Sequence, residues 1–129
     1  MNEFQLDDFT KLVVSKLEEL GENITLSNPD TDETFPIGVV QNPLEAVIKT
    51  DETNRPVSKR FQINIEWWTD SRYTSLGKYA TCNVKLREIN MSQVGQTSMR
   101  YDEITKKHIV GGAYEVLYNG ITNSFSKTK

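Results

Sequence analysis

The sequence predicts an α+β domain in which a mainly antiparallel sheet of four to five strands is backed on one face by two helices. Three observations carry that expectation. Residues 5 to 20 hold Phe9, Leu12, Val13, Leu17 and Leu20 at helical spacing. Residues 60 to 69, RFQINIEWWT, alternate with period two, placing Phe61, Ile63, Ile65 and Trp67 on one side and Gln62, Asn64 and Glu66 on the other. A second long helical pattern follows, and then a pair of alternating segments closes the chain.

In the first helix, Asp7 and Asp8 suit the positive end of the helix dipole, and Gly21 supplies the left-handed stop. Ile24 and Leu26 suggest a short strand or an extended connection, and NPDTDET after them is turn chemistry. Phe35 to Val40 is strand-like, but Pro36 and Gly38 favour an edge or a bulge, and Asn42-Pro43 is expected to break it before a further strand from Leu44 to Thr50. Asp51 to Pro56 is a polar hairpin loop of the kind that carries contacts in assembling proteins. After the central strand, Thr69 or Asp70 is placed to cap a helix running to about Gln93. Its apolar residues form two stripes, Tyr73, Leu76, Ala80 and Val84 beside Tyr79, Cys82, Leu86 and Ile89, and Gly77 among them suggests close approach to the sheet. Gly95 ends that helix. Residues 97 to 104 and 108 to 119 then make a hairpin, with Gly111-Gly112 marking a bulge or close packing. Tyr114, Val116 and Tyr118 share a face. The expectation is one domain over residues 1–129, with 1–4 and 121–129 loosely ordered unless Ile121 or Phe125 docks.

The totals exclude several classes of function. A net charge of −3 with scattered Lys and Arg argues against nucleic-acid binding, which needs clustered cations. No stretch approaches the roughly 20 apolar residues of a membrane span, and one cysteine forms no internal disulfide. The acidic start MNEFQLDDF is not a secretion signal, so synthesis in the cytoplasm is expected and the sequons at Asn23 and Asn90 are chance. One histidine, His108, cannot build a multi-histidine metal site and reads as an exposed turn residue. A Cys82, His108, Asp102 set is conceivable as nucleophile, base and orienter, but Cys82 sits on a mid-helix apolar stripe, where a thiolate is disfavoured. The carboxylates at 7–8, 30, 32–33 and 51–52 fall in polar surroundings, and no phosphate-cradling glycine loop precedes a helix. No enzyme and no cofactor are expected.

Trp68 is the exception to the central pattern. It falls on the polar side of its strand, so either the chain's own helix or a loop covers the indole, or a partner does. Reading it as an interface makes Gln62, Asn64, Glu66 and Trp68 the outward row, joined by Arg55 in the polar loop and by Tyr114 and Tyr118 as aromatic anchors. The alternative is a pocket-forming ligand-binding module with Trp67, Tyr101 and Tyr114 around a cavity.

The order of a short N-terminal helix, strands separated by a polar loop, the strand FQINIEWW, a following helix and a closing strand pair ending in YEVLYNG resembles the tail terminator and tail-completion (head-tail joining) proteins of long-tailed bacteriophages over residues 5 to 120. The resemblance is one of architecture. It implies a structural protein of the virion tail, made in the cytoplasm of the host bacterium. Its subunits form a homo-oligomeric ring, a hexamer, that caps the tail tube and meets a tube protein on one side and a head-completion protein on the other. It implies no catalysis and no cofactor. Another minor tail or head-tail connector subunit is the nearest rival reading.

Overall fold

A computed structural model describes residues 4–53, 56–97 and 99–127. The architecture is α+β, a mixed seven-stranded sheet with two helices. The elements are α1 (Leu6–Glu18), β1 (Asn23–Thr25), β2 (Ile37–Thr50), β3 (Pro56–Thr69), α2 (Arg72–Leu86), β4 (Ser92–Gln96), β5 (Arg100–Asp102), β6 (Lys107–Asn119) and β7 (Ser124–Ser126). The strand order is β1-β2-β3-β6-β4, and β5 and β7 pair with the two ends of β6. Only β1 with β2 is parallel. Three short strands thus share one edge of β6, which is why the strand number exceeds the four to five expected.

The helices cover one face. Phe9, Val13 and Leu17 of α1 and Cys82 and Leu86 of α2 meet Phe61, Ile63, Ile65 and Trp67 of β3 and Tyr114, Val116 and Tyr118 of β6 in one buried cluster. The period-two pattern of the central strand therefore reports its inner face correctly, because Phe61 and Val116, and likewise Ile63 and Tyr114, are cross-strand partners. Phe4 stacks on Tyr118 with ring centroids 4.8 Å apart, and Phe125 of β7 lies 5.3 Å from the same ring, whereas Ile121 stays exposed.

Several boundaries differ from the sequence reading. β2 is one strand, not two: Asn42, with a left-handed φ of 52°, and Pro43 are absorbed as a register shift between Gln41 and Leu44. Ser71, rather than Thr69 or Asp70, caps α2 by accepting from the Tyr73 backbone N–H at 3.2 Å. The helix stops at Leu86, passes through a short 3-10 turn and reverses at left-handed Asn90, so Gln93 and Gly95 lie in a strand. Only one of the two α2 stripes packs inward; Tyr73 and Val84 are exposed. A Cβ on Gly77 would meet nothing within 4 Å, so that glycine serves no close approach. Close approach occurs instead at Gly38, where a Cβ would lie 2.6 Å from the Trp67 ring, and at Gly111, where it would lie 2.5 Å from the Ile65 carbonyl oxygen. β6 pairs with β3 without a register shift through Gly111-Gly112, so the pair marks close packing.

Candidate functional site

The outer face of the sheet has two halves. At one end Trp68 packs with Ile37, Val39 and Ile109, and Phe35 lies against them. The indole is 3% exposed. Its Nε1 donates to Glu66 Oε1 at 3.3 Å, and the Glu66 carboxylate in turn accepts from Arg100 Nη1 at 2.6 Å and Nη2 at 3.2 Å. The Arg100 guanidinium stands 5.9 Å from the indole centroid, and Lys107 Nζ stands 4.7 Å over the Phe35 ring. This is a second small core on the far side of the sheet. Its cause is nonlocal: β2 enters beside Trp68 through Ile37, which brings Phe35 against this cluster. The arginine fork supplies Glu66 with a bidentate partner that offsets the cost of its burial.

The other half of that face is open. Gln62, Asn64 and Ala113 floor a trough of about 480 Å³ whose rims include Leu44 on β2 and Val94 on β4. Gln62 Nε2 donates to Glu115 Oε2 at 2.9 Å, which orients the amide along the floor.

Of the residues expected at an interface, Gln62 and Asn64 occupy this open trough. The others do not face solvent together. Glu66 and Trp68 are buried in the second core. Tyr114 and Tyr118 point to the helix side, 1% and 6% exposed, because their partners across the ladder are inward residues of β3. Arg55 lies outside the described residues. Leu44 and Val94, half exposed on the rims, were missed, since nothing local in the sequence distinguishes an exposed apolar residue on an edge strand from a buried one.

The candidates for chemistry separate in space. Cys82 is fully buried in the helix-side core, and desolvation pushes its thiol up to about 11, outweighing the lowering influence of Tyr114 and Trp67. Burial likewise raises the Tyr114 phenol, with Cys82 adding to it. The Tyr114 hydroxyl donates to Asn83 Oδ1, the Asn83 amide to Gln93, and the Gln93 amide to the Tyr79 hydroxyl, a polar chain along the seam between α2 and β4. His108 is not an exposed turn residue: it lies in β6, half buried, its ring 4.9 Å from that of Tyr101. Asp102 accepts from the Thr105 backbone N–H at 2.8 Å and the Thr105 hydroxyl at 2.6 Å, which lowers its pKa. Cys82, His108 and Asp102 therefore form no triad. Trp67 and Tyr114 sit in the packed core and Tyr101 on β5, so they do not line a common cavity. Among the described residues no group of His, Cys, Asp and Glu could hold a metal ion, and no helix is long and apolar enough to cross a membrane.

No protein-family model matches the sequence, and no curated protein matches it.

Proposed function

We propose that the chain is a structural subunit of the tail of a long-tailed phage or prophage, of the tail-terminator kind. It forms a homo-oligomeric ring, a hexamer, at the end of the tail tube and joins the tube to a head-completion protein. The observation that carries this reading is the open half of the outer sheet face. Gln62 and Asn64 stand there on the central strand β3, paired without a register shift to β6 on one side and across the Asn42-Pro43 irregularity to β2 on the other. A rigid, mixed polar and apolar surface of this sort suits protein contact better than solvent. The resemblance in element order over residues 5 to 120 supports the choice of a tail terminator. On this reading the protein is not an enzyme, needs no cofactor, binds neither nucleic acid nor membrane, and resides in the virion tail.

Mass photometry of the purified chain, alone and with a tail-tube subunit, tests the proposal. A ring or a stable complex with the tube is expected, and Gln62→Lys with Asn64→Lys should abolish tube binding while the far-ultraviolet spectrum stays that of wild type. A chain that remains a 14.8 kDa monomer at every concentration and ignores the tube overturns it.

The volume of the trough favours one second reading, a small-ligand module binding a polar molecule through the Gln62 and Asn64 amides. That module would stay monomeric, and ligand would raise its melting temperature.

A further inference from the structure

Gln62 and Asn64 belong to a longer row on the outer face of β3. Arg60 precedes them by one strand repeat, opposite Ala46 on β2 and Leu117 on β6. All three side chains are half buried. The floor beside them is low, because Ala113 and Gly95 continue the level of Asn64 across β6 and β4, and a methyl placed on Gly95 would meet nothing within 4 Å. Leu44 and Val94 form the two rims, 57% and 51% exposed. Beyond Asn64 the row runs into Glu66, which the Arg100 fork holds.

The charges along this row are unevenly matched. Glu66 is taken by Arg100, and Glu115 accepts from the Gln62 amide. Arg60 has no such counterpart: among the described residues its guanidinium enters no ion pair, and its Nε is buried without a hydrogen bond. Burying a polar group unbonded costs stability, so the chain's own packing gives no reason for an arginine here. The guanidinium is a rigid fork of donors that matches a carboxylate. The amide of Asn64 offers a donor and an acceptor together, which is what a peptide group offers in return. The spacing fits as well. Side chains two apart on a strand lie about 6.7 Å from one another, the same repeat at which an extended chain turns like groups to one side, and Arg60 to Asn64 spans about 13 Å.

We infer that this row takes an extended segment of a partner protein that carries an acidic residue. Its carboxylate pairs with Arg60, its main chain bonds to the Gln62 and Asn64 amides, and an apolar side chain lies against Leu44 or Val94. This names the chemistry of the partner and rests on the reading of the open face as a protein contact.

Panning a library of random peptides about seven residues long, enough to span the row, on the full chain tests it. The selected peptides should share an Asp or Glu with an apolar residue within a few positions of it. Fluorescence anisotropy of a labelled selected peptide should show binding weakened about tenfold or more by Arg60→Gln, and weakened by salt. Arg60→Glu should reverse the preference, favouring the same peptide with Lys in place of its acid. Neither change should lower the melting temperature, since the guanidinium bonds to nothing in the described chain. If the selected peptides carry no acid, or Arg60→Gln leaves binding unchanged, the inference falls while a tube contact seen by mass photometry stands. If panning selects no peptide, the inference falls, and the protein-contact reading is decided by the tail-tube measurement alone. If Arg60→Gln melts well below wild type and Arg60→Lys restores it, the guanidinium serves the fold rather than a partner, and the inference falls as well.

Discussion

Replacing Trp68 by alanine separates a core indole from an interface indole. The side chain is 3% exposed, touches Phe35, Ile37, Val39 and Ile109, and donates to Glu66. Truncating a buried tryptophan to alanine costs about 3–5 kcal/mol, a large part of the about 5–15 kcal/mol that holds a domain folded. At about 2.1 cal/mol/K of unfolding entropy per residue, the whole chain gives about 0.27 kcal/mol/K, so the melting temperature should fall by roughly 10–20 °C. Trp68→Phe keeps most of the ring contact and loses the N–H to Glu66, a change worth about 1 kcal/mol. Urea unfolding followed by the remaining Trp67 fluorescence and by circular dichroism measures both. The reasoning is refuted if Trp68→Ala melts within about 3 °C of wild type while abolishing assembly, for the indole would then belong to a partner contact and not to the second core.

Three further outcomes are expected. Gly77→Ala should stabilise the chain by about 1 kcal/mol in urea unfolding, because the added methyl meets nothing and helix propensity improves. Gly38→Ala should cost about 1–3 kcal/mol by the same measurement, since the Trp67 ring it would strike is fully buried and cannot swing away. For Cys82, the folded state holds its thiol proton more tightly than the unfolded chain. Its contribution is therefore fully present below the ordinary thiol value near 9.0 and is lost as pH rises toward about 11, by roughly 3 kcal/mol in all. Cys82→Ala should show a correspondingly shallower fall in stability over that window. An equal slope in the two proteins would mean that the thiol is not desolvated as its position indicates.

Local periodicity was enough for α1, for the inner face of β3 and for β6, because each buries a full stripe or a full face and leaves the repeat intact in the sequence. It was not enough for α2 beyond Leu86. There, apolar residues at helical spacing continue through Ile89, and the break comes from left-handed Asn90 and the pairing of Ser92–Gln96 with β6, a partner that lies about twenty residues further along. Asn42-Pro43 misled in the opposite sense. An edge strand tolerates a proline and a bulge that a central strand would not, and edge position is a property of the sheet, not of the residues.

The candidate site divides in the same way. Alternation alone placed Gln62, Asn64, Glu66 and Trp68 on one side of β3, and all four do project from the outer face. Whether that face is wet or roofed was decided by tertiary structure. Phe35, from the segment leading into β2, packs at the Trp68 end, and Arg100, 34 residues from Glu66, closes over the carboxylate, whereas at the other end of the face Gln62, bonded to Glu115, and Asn64 line an open trough. Side-chain direction along a strand is a local consequence of backbone geometry and can be read from one dimension. Burial depends on what the rest of the chain brings back to the same place, and for this protein it turned one row of four residues into half a core and half an open trough.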